Sequence, residues 1–427
     1  MPAPRTMRKT RALVIAAGLT LGPTATGGSA RIEGPLVLHE WGTFTSLQDE
    51  SGEAIGGINS DDEPLPLWTH NLAPMLIIGT PVQGAPKCHP DVTLRLETPV
   101  VYFHPPASAS LPMVVDVRAR FRGGWLTQYH PDARADAPGL TTGEFKFGAI
   151  TRDTVGELSW KGLRVGGSAS GPETREHVWL APRQVEAASV TTPAGESERF
   201  LFYRGVGHTN APLRVSRSGG DSAELVIRGQ LGSSLAAVDR TTREALAARS
   251  LTVRHLWLLA VHDEGAAAYR TLEPIAITEG ERVQVRAPGF PAGSFNKGNL
   301  ARLRSDMHRA LVEEGLFADE AEALLSTWEL SYFKSPGLRL FFMVPRAWTE
   351  AVLPLEISVP AEVKRAMVGR IELVTPEQRS LLDRLADLPP NDSDPRVGEE
   401  QSELVRKLGR FRDALIIHDA KRRSRQP

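Results

Sequence analysis

The chain has 427 residues, 41% of them hydrophobic and 24% charged, with a formal net charge of -1. This is ordinary globular usage with enough apolar residues for a core of normal size, and length alone suggests two or three domains. A charge so near zero excludes a whole-protein field that would draw nucleic acid or an anionic membrane.

Residues 1–30 read as a signal peptide. Arg5, Arg8, Lys9 and Arg11 precede the apolar run Ala12 to Gly22, and small residues lead to a cleavage point near Ala30. The apolar run is too short to span a bilayer, and no later segment reaches that length. A secreted or periplasmic protein is expected. The single cysteine, Cys88, is expected to be a small buried side chain, since a chain this long needs no disulfides.

Residues 31–290 read as a β-rich domain of one or two antiparallel sandwich-like units. "LVLHEWGTFTS", Leu36 to Ser46, opens it as a strand, with Leu36, Leu38, Glu40 and Phe44 on one face and Val37, His39, Trp41 and Thr43 on the other. "MVVDVRARF" alternates, with Met113, Val115, Val117, Ala119 and Phe121 inward and Asp116, Arg118 and Arg120 outward. "PLRVSRSGGDSAELVIRG" reads as a hairpin turning at Ser218 to Asp221. "LTVRHLWLLAVH" and "ERVQVRA" continue the style.

Residues 291–390 read as a mixed α/β region. Leu300, Leu303, Met307 and Leu311 have helical spacing, with Gly315 as a C-terminal cap. "ADEAEALLSTWELSYF" is a second helix, and "GLRLFFMVP" and "VGRIELV" are strands. Thr375, Pro376 and Gln378 mark a capped helix start. Residues 391–427 hold a linker, a last helix from about Val397 to Ile417, and a basic tail. The fold class expected is a β-rich α+β chain.

Common catalytic motifs fail on spacing. His39 and Glu40 do not begin an HExxH, because Thr43 stands where the second His belongs. There is no GxSxG and no P-loop, and "GVGHTN" lacks the third glycine of a dinucleotide fingerprint. What remains is a set of polar residues in apolar or turn-rich settings. Glu40 falls on the apolar face of its strand, where a carboxylate must be paired with an Arg, hydrogen-bonded or protonated. "GGINSDDEP" gathers Asn59, Ser60, Asp61, Asp62 and Glu63 as oxygen ligands of the kind Ca²⁺ takes, and His70 follows shortly after. His104, His130, His177 and His208 each end or flank an apolar run and are potential Zn²⁺ ligands or acid–base groups.

These residues sort into three functional readings. The leading one is a protein that binds a small molecule, glycan or cell-envelope component. Trp41, Trp125, Tyr129, Tyr203 and Arg204 would be its contacts, since flat aromatic faces suit sugars and peptides. The second is a metal-assisted hydrolase. His39, Asp61 and Asp62 would ligate Ca²⁺ or Zn²⁺, His130 and His177 would assist, metal-bound water would be the nucleophile and Glu40 the general base. The third is a scaffold with no active site.

"VLHEWGTFTS", "LETPVVYFHPP", "FLFYRGVG", "PRAWTEAVLPL" and "VGRIELVTPE", taken together from Leu36 to Glu377, resemble a family of secreted bacterial proteins to which no activity is assigned. The resemblance implies secretion and a single architecture, and no chemistry. It also implies an aromatic such as Tyr where His104 stands, which argues against His104 as an essential ligand.

Overall fold

Alternation dictates the outer strands and continuous apolarity the inner ones. The strand Met113–Arg122 buries Val115, Val117, Ala119 and Phe121 and wets the residues between them. The strands Leu36–Gln48 and Leu94–His104 are buried at every position. They lie mid-sheet with side chains packed on both faces. Leu36, Leu38 and Phe44 enter one core layer with Val101 and Phe103. Trp41 enters the other with Val100, Tyr102 and Phe341. Leu303, Met307 and Leu311 of the helix Gly298–Glu313, and Leu324 of the helix Ala318–Thr327, cover that second layer.

The computed structural model describes residues 34–60, 64–72, 85–141, 146–167, 169–218, 224–232, 235, 237–262, 265–389 and 395–425. The signal-like segment, Asp61 to Glu63 and the turn residues Gly219 to Asp221 lie outside this set. Among the described residues the architecture is β-rich α+β, built on one 15-stranded sheet with three smaller ones. Its middle runs Leu201–Gly207, Leu94–His104, Leu36–Gln48, Ala361–Leu373, Gly337–Met343, Leu256–Val261.

The central pair is parallel. Leu36–Gln48 and Ala361–Leu373 match in register from Leu36 opposite Ala361 to Gln48 opposite Leu373. The sheet is therefore mixed rather than purely antiparallel, and it continues across residue 290. On its other side the opening strand meets Leu94–His104 antiparallel, with a bulge. Trp41 faces Val100 and Thr43 faces Glu97, so one strand advances two residues while the other advances three. Thr98 takes φ +46° there. A Cβ on Gly42 would come within 3.1 Å of Pro99 Cα, which is why the "HEWGTF" run has glycine at this point.

The bulge presents Glu97 to a buried cationic group. Its carboxylate takes Arg95 Nη2 at 2.8 Å, the Thr45 hydroxyl at 2.9 Å and Arg410 Nη2 at 3.3 Å. Burial pushes this carboxyl up, but Arg95, Arg410 and Arg370 outweigh it and hold the pKa at about 2. A folded-state pKa below the ordinary 4.5 adds stability above pH 4.5, lost as pH falls from there through about 2. The size is roughly 3 kcal/mol. Urea unfolding across that window should show a steep acid loss in the wild type and a flatter one in Glu97→Gln. Equal slopes would contradict the assignment.

The helices follow their caps. Thr375 and Gln378 exchange hydrogen bonds of 3.0 and 3.1 Å at the start of Pro376–Asp387. Gly315 closes its helix at φ +105°. The last helix divides into Pro395–Lys407 and Arg412–Arg423. Gly409, at φ +82°, breaks it, because a left-handed residue ends an α-helix. Cys88 is half-buried rather than buried.

Candidate metal centre

Among the described residues two His–His–Glu groups form, and both histidines of each are named above: His39, His104 and Glu320 in one, His70, His130 and Glu196 in the other.

In the first group Glu320 sits in the first turn of the helix Ala318–Thr327. One carboxylate oxygen lies 2.6 Å from His39 Nδ1 and accepts the Phe317 backbone N–H at 2.7 Å. The other lies 2.9 Å from His104 Nε2. The Phe317 ring covers both imidazoles, with centroids at 4.6 and 4.9 Å. All three polar residues are buried. Burial pushes the Glu320 carboxyl up, and the hydrogen bonds from His104 and His39 outweigh it, leaving it below the usual range.

In the second group His70 belongs to the two-residue strand His70–Asn71, which pairs with the strand Gly124–His130 so that His70 lies opposite Tyr129. Glu196 comes from the turn that precedes Ser197–Glu198. Its oxygens lie 2.9 and 3.0 Å from His70 Nε2, and one accepts the Asp132 N–H at 2.7 Å. His130 Nδ1 stands 3.8 Å from that carboxylate, beyond hydrogen-bond reach. Neither nitrogen of this ring has a hydrogen-bond partner among the described residues, although the residue is only 2% exposed. The Ser197 backbone lies near the ring but outside hydrogen-bond geometry. Trp68 and Trp179 pack on the imidazole at 4.5 and 5.8 Å, and His70 lies parallel to it at 6.2 Å. Burial pushes the His130 pKa down to about 4 against the pull of Glu198 and Glu196. The ring is therefore neutral at pH 7, the form a metal takes.

Donor spacing separates the two groups. A tetrahedral ion about 2.1 Å from each donor holds the donors roughly 3.4 Å apart. In the first, 2.6 and 2.9 Å fall short of that value and are ordinary hydrogen bonds. In the second group the His70–Glu196 contact, 2.9 Å, is also a hydrogen bond, and the difference lies in His130, whose Nδ1 stands 3.8 Å from the carboxylate and leaves a gap. The second group could hold a metal ion; the first is a hydrogen-bonded contact between sheet and helix.

The other residues singled out by sequence disperse. Glu40 is fully buried, ion-paired with Arg365 and hydrogen-bonded by Tyr203, so it is not free to act as a general base. Trp41 and Trp125 are core residues with no exposure, because both faces of their strands are covered. Neither presents a platform for a ligand. Tyr203 and Arg204 are equally enclosed, and the Arg204 Nε donates to the Thr98 hydroxyl at 3.1 Å. Tyr129 alone of the binding set borders the second group, stacked on His70 at 5.4 Å. His177 is exposed at the start of a short helix and belongs to neither group. Asp61 and Asp62 lie outside the described residues. Glu196 and Glu320 were missed. Glu196 sits in a polar turn that gives no local signal, and Glu320 reads only as an acidic residue at a helix start.

No family model and no curated protein matches the chain. Among solved structures, those similar to it include three structures of mu homology domains. One is that of Fcho1 from Danio rerio with bound Eps15 peptide, at TM-score 0.30 and 7% identity over 81% of this chain and 99% of that one. Another is the yeast delta-COP-I domain complexed with a Dsl1 WxWxV peptide, at 0.27 and 7% over 80% and 98%. The third is the yeast delta-COP-I domain, at 0.29 and 8% over 81% and 100%. Likeness at these scores carries no assignment of ligand or function.

Proposed function

We propose that the protein is an extracytoplasmic metal-binding protein whose His70, His130 and Glu196 hold a transition-metal ion, Zn²⁺ foremost. The observation that carries this is His130. A buried imidazole with neither nitrogen bonded costs stability unless something supplies the missing partner. An ion seated between it, His70 and Glu196 supplies one for Nδ1, the nitrogen that faces Glu196. Two imidazoles and one carboxylate suit Zn²⁺ and related ions, whereas Ca²⁺ prefers an all-oxygen shell. The His70 and Glu196 side chains are 31% and 36% exposed, which leaves a fourth position for water or an outside ligand. The hydrolase reading loses its base, since Glu40 is locked to Arg365, and metal binding is what the geometry supports. The basic, apolar, small-residue order of residues 1–30 supports the extracytoplasmic part.

The test is calorimetric titration of metal-stripped protein with Zn²⁺. One equivalent is expected, weakened about a hundredfold or more in His130→Phe, which keeps the packing against Trp68 and Trp179. No binding, or unchanged affinity in both His130→Phe and His70→Ala, would overturn the proposal.

A further inference from the structure

The small sheet made of Leu213–Ser218, Glu224–Gly229 and Arg282–Val285 has a feature that core packing does not require. Its register sets Arg214 opposite Arg228, and Arg228 opposite Arg282. Three guanidinium side chains therefore stand in a row across three strands, on the face opposite buried Val215 and Ile227. That buried face fixes the register, because a one-residue slip would turn it outward.

Arg214 is held in place: its Nε donates to the Ser51 carbonyl at 3.1 Å, and its Nη1 lies 2.6 Å from Glu53. Arg228 and Arg282 make no ion pair among the described residues. Like charges directly opposite one another destabilise a sheet. Charged side chains on edge strands block unwanted pairing, which accounts for Arg214 and Arg282. It does not account for Arg228, in the middle strand.

We propose that this face binds an oxyanion, a phosphate or sulfate group, chelated by Arg228 and Arg282 with Arg214 beside them. Cβ atoms about 5 Å apart across adjacent strands let two guanidiniums converge on one tetrahedral group. The planar donor fork of arginine suits that geometry. The group is either a free ion or one displayed on a lipid headgroup.

The experiment uses the full chain at low salt with two probes: inorganic phosphate, and phosphatidylcholine vesicles with or without phosphatidylglycerol. The proposal expects saturable binding of at least one, about tenfold weaker in Arg228→Gln and in Arg282→Gln and unchanged in the exposed control Arg152→Gln. Phosphate binding supports a free-ion site. Binding only to phosphatidylglycerol vesicles supports a headgroup site. Without ligand, Arg228→Gln should melt at a higher temperature than wild type, because repulsion is relieved. Absence of binding to both probes, or equal loss in Arg152→Gln, overturns the proposal. So does a lowered melting temperature in Arg228→Gln with binding intact in Arg282→Gln.

Discussion

Glu40→Ala should destabilise the protein by about 3–5 kcal/mol, the cost of breaking a buried ion pair from one side. Glu40 is at 0% exposure, and Arg365, its partner from the parallel neighbouring strand, is at 6%. Removing the carboxylate leaves a guanidinium in the core with one terminal nitrogen already unpartnered. It also leaves the Tyr203 hydroxyl without its acceptor. In the wild type, burial pushes the Arg365 pKa down and Glu40 and Tyr203 more than restore it. Without Glu40 the guanidinium still keeps its proton, since arginine is not deprotonated in proteins, so the cost is not shed by neutralisation. Arg365→Ala should cost a similar amount, and the double variant less than the sum, because neither charge is then stranded. Urea unfolding of the four proteins measures this. Zn²⁺ affinity should stay within twofold of wild type in Glu40→Ala wherever that variant is folded. A stable Glu40→Ala variant that had lost its metal would return Glu40 to the site.

Glu320→Ala should be the second large loss, about 3 kcal/mol. The carboxylate takes hydrogen bonds from two imidazoles and one backbone N–H, and bonds to a charged acceptor are worth about 1.5–3 kcal/mol each before relaxation. Glu320→Gln should cost less. Its amide oxygen can accept from one histidine, while its NH₂ can donate to the other once that ring presents a bare nitrogen. The order Ala worse than Gln, read by thermal or urea unfolding, separates a hydrogen-bonded lock from a metal ligand. A metal site would show both variants losing a bound ion, whereas the lock predicts unchanged metal content in each. The histidine at 104 thus has a structural partner, although the family resemblance implies an aromatic there.

Local pattern made part of this fold legible. Met113–Arg122 alternates because one of its faces is wet, and the helix at Pro376 shows its cap as Thr375 and Gln378. The opening strand was readable down to which residues share a face with Glu40. Its neighbour was not. Arg365 lies 325 residues from Glu40, and no period or turn signal encodes a parallel pairing over that distance. The site was legible only as scattered histidines. His130 was in view, but its company is set by a two-residue strand and a polar turn, neither of which has a pattern of its own. The aromatic reading failed for the opposite reason: tryptophans in strands covered on both faces are core, and sequence could not show that both faces are covered.

The most direct measurement is X-ray absorption at the zinc edge on Zn²⁺-loaded protein, with His130→Phe beside it. A four-coordinate ion with two imidazoles and light-atom scatterers for Glu196 and an outside ligand is expected, with loss of bound zinc in the variant. An all-oxygen shell, or the same spectrum and zinc content in His130→Phe, would contradict the proposed site.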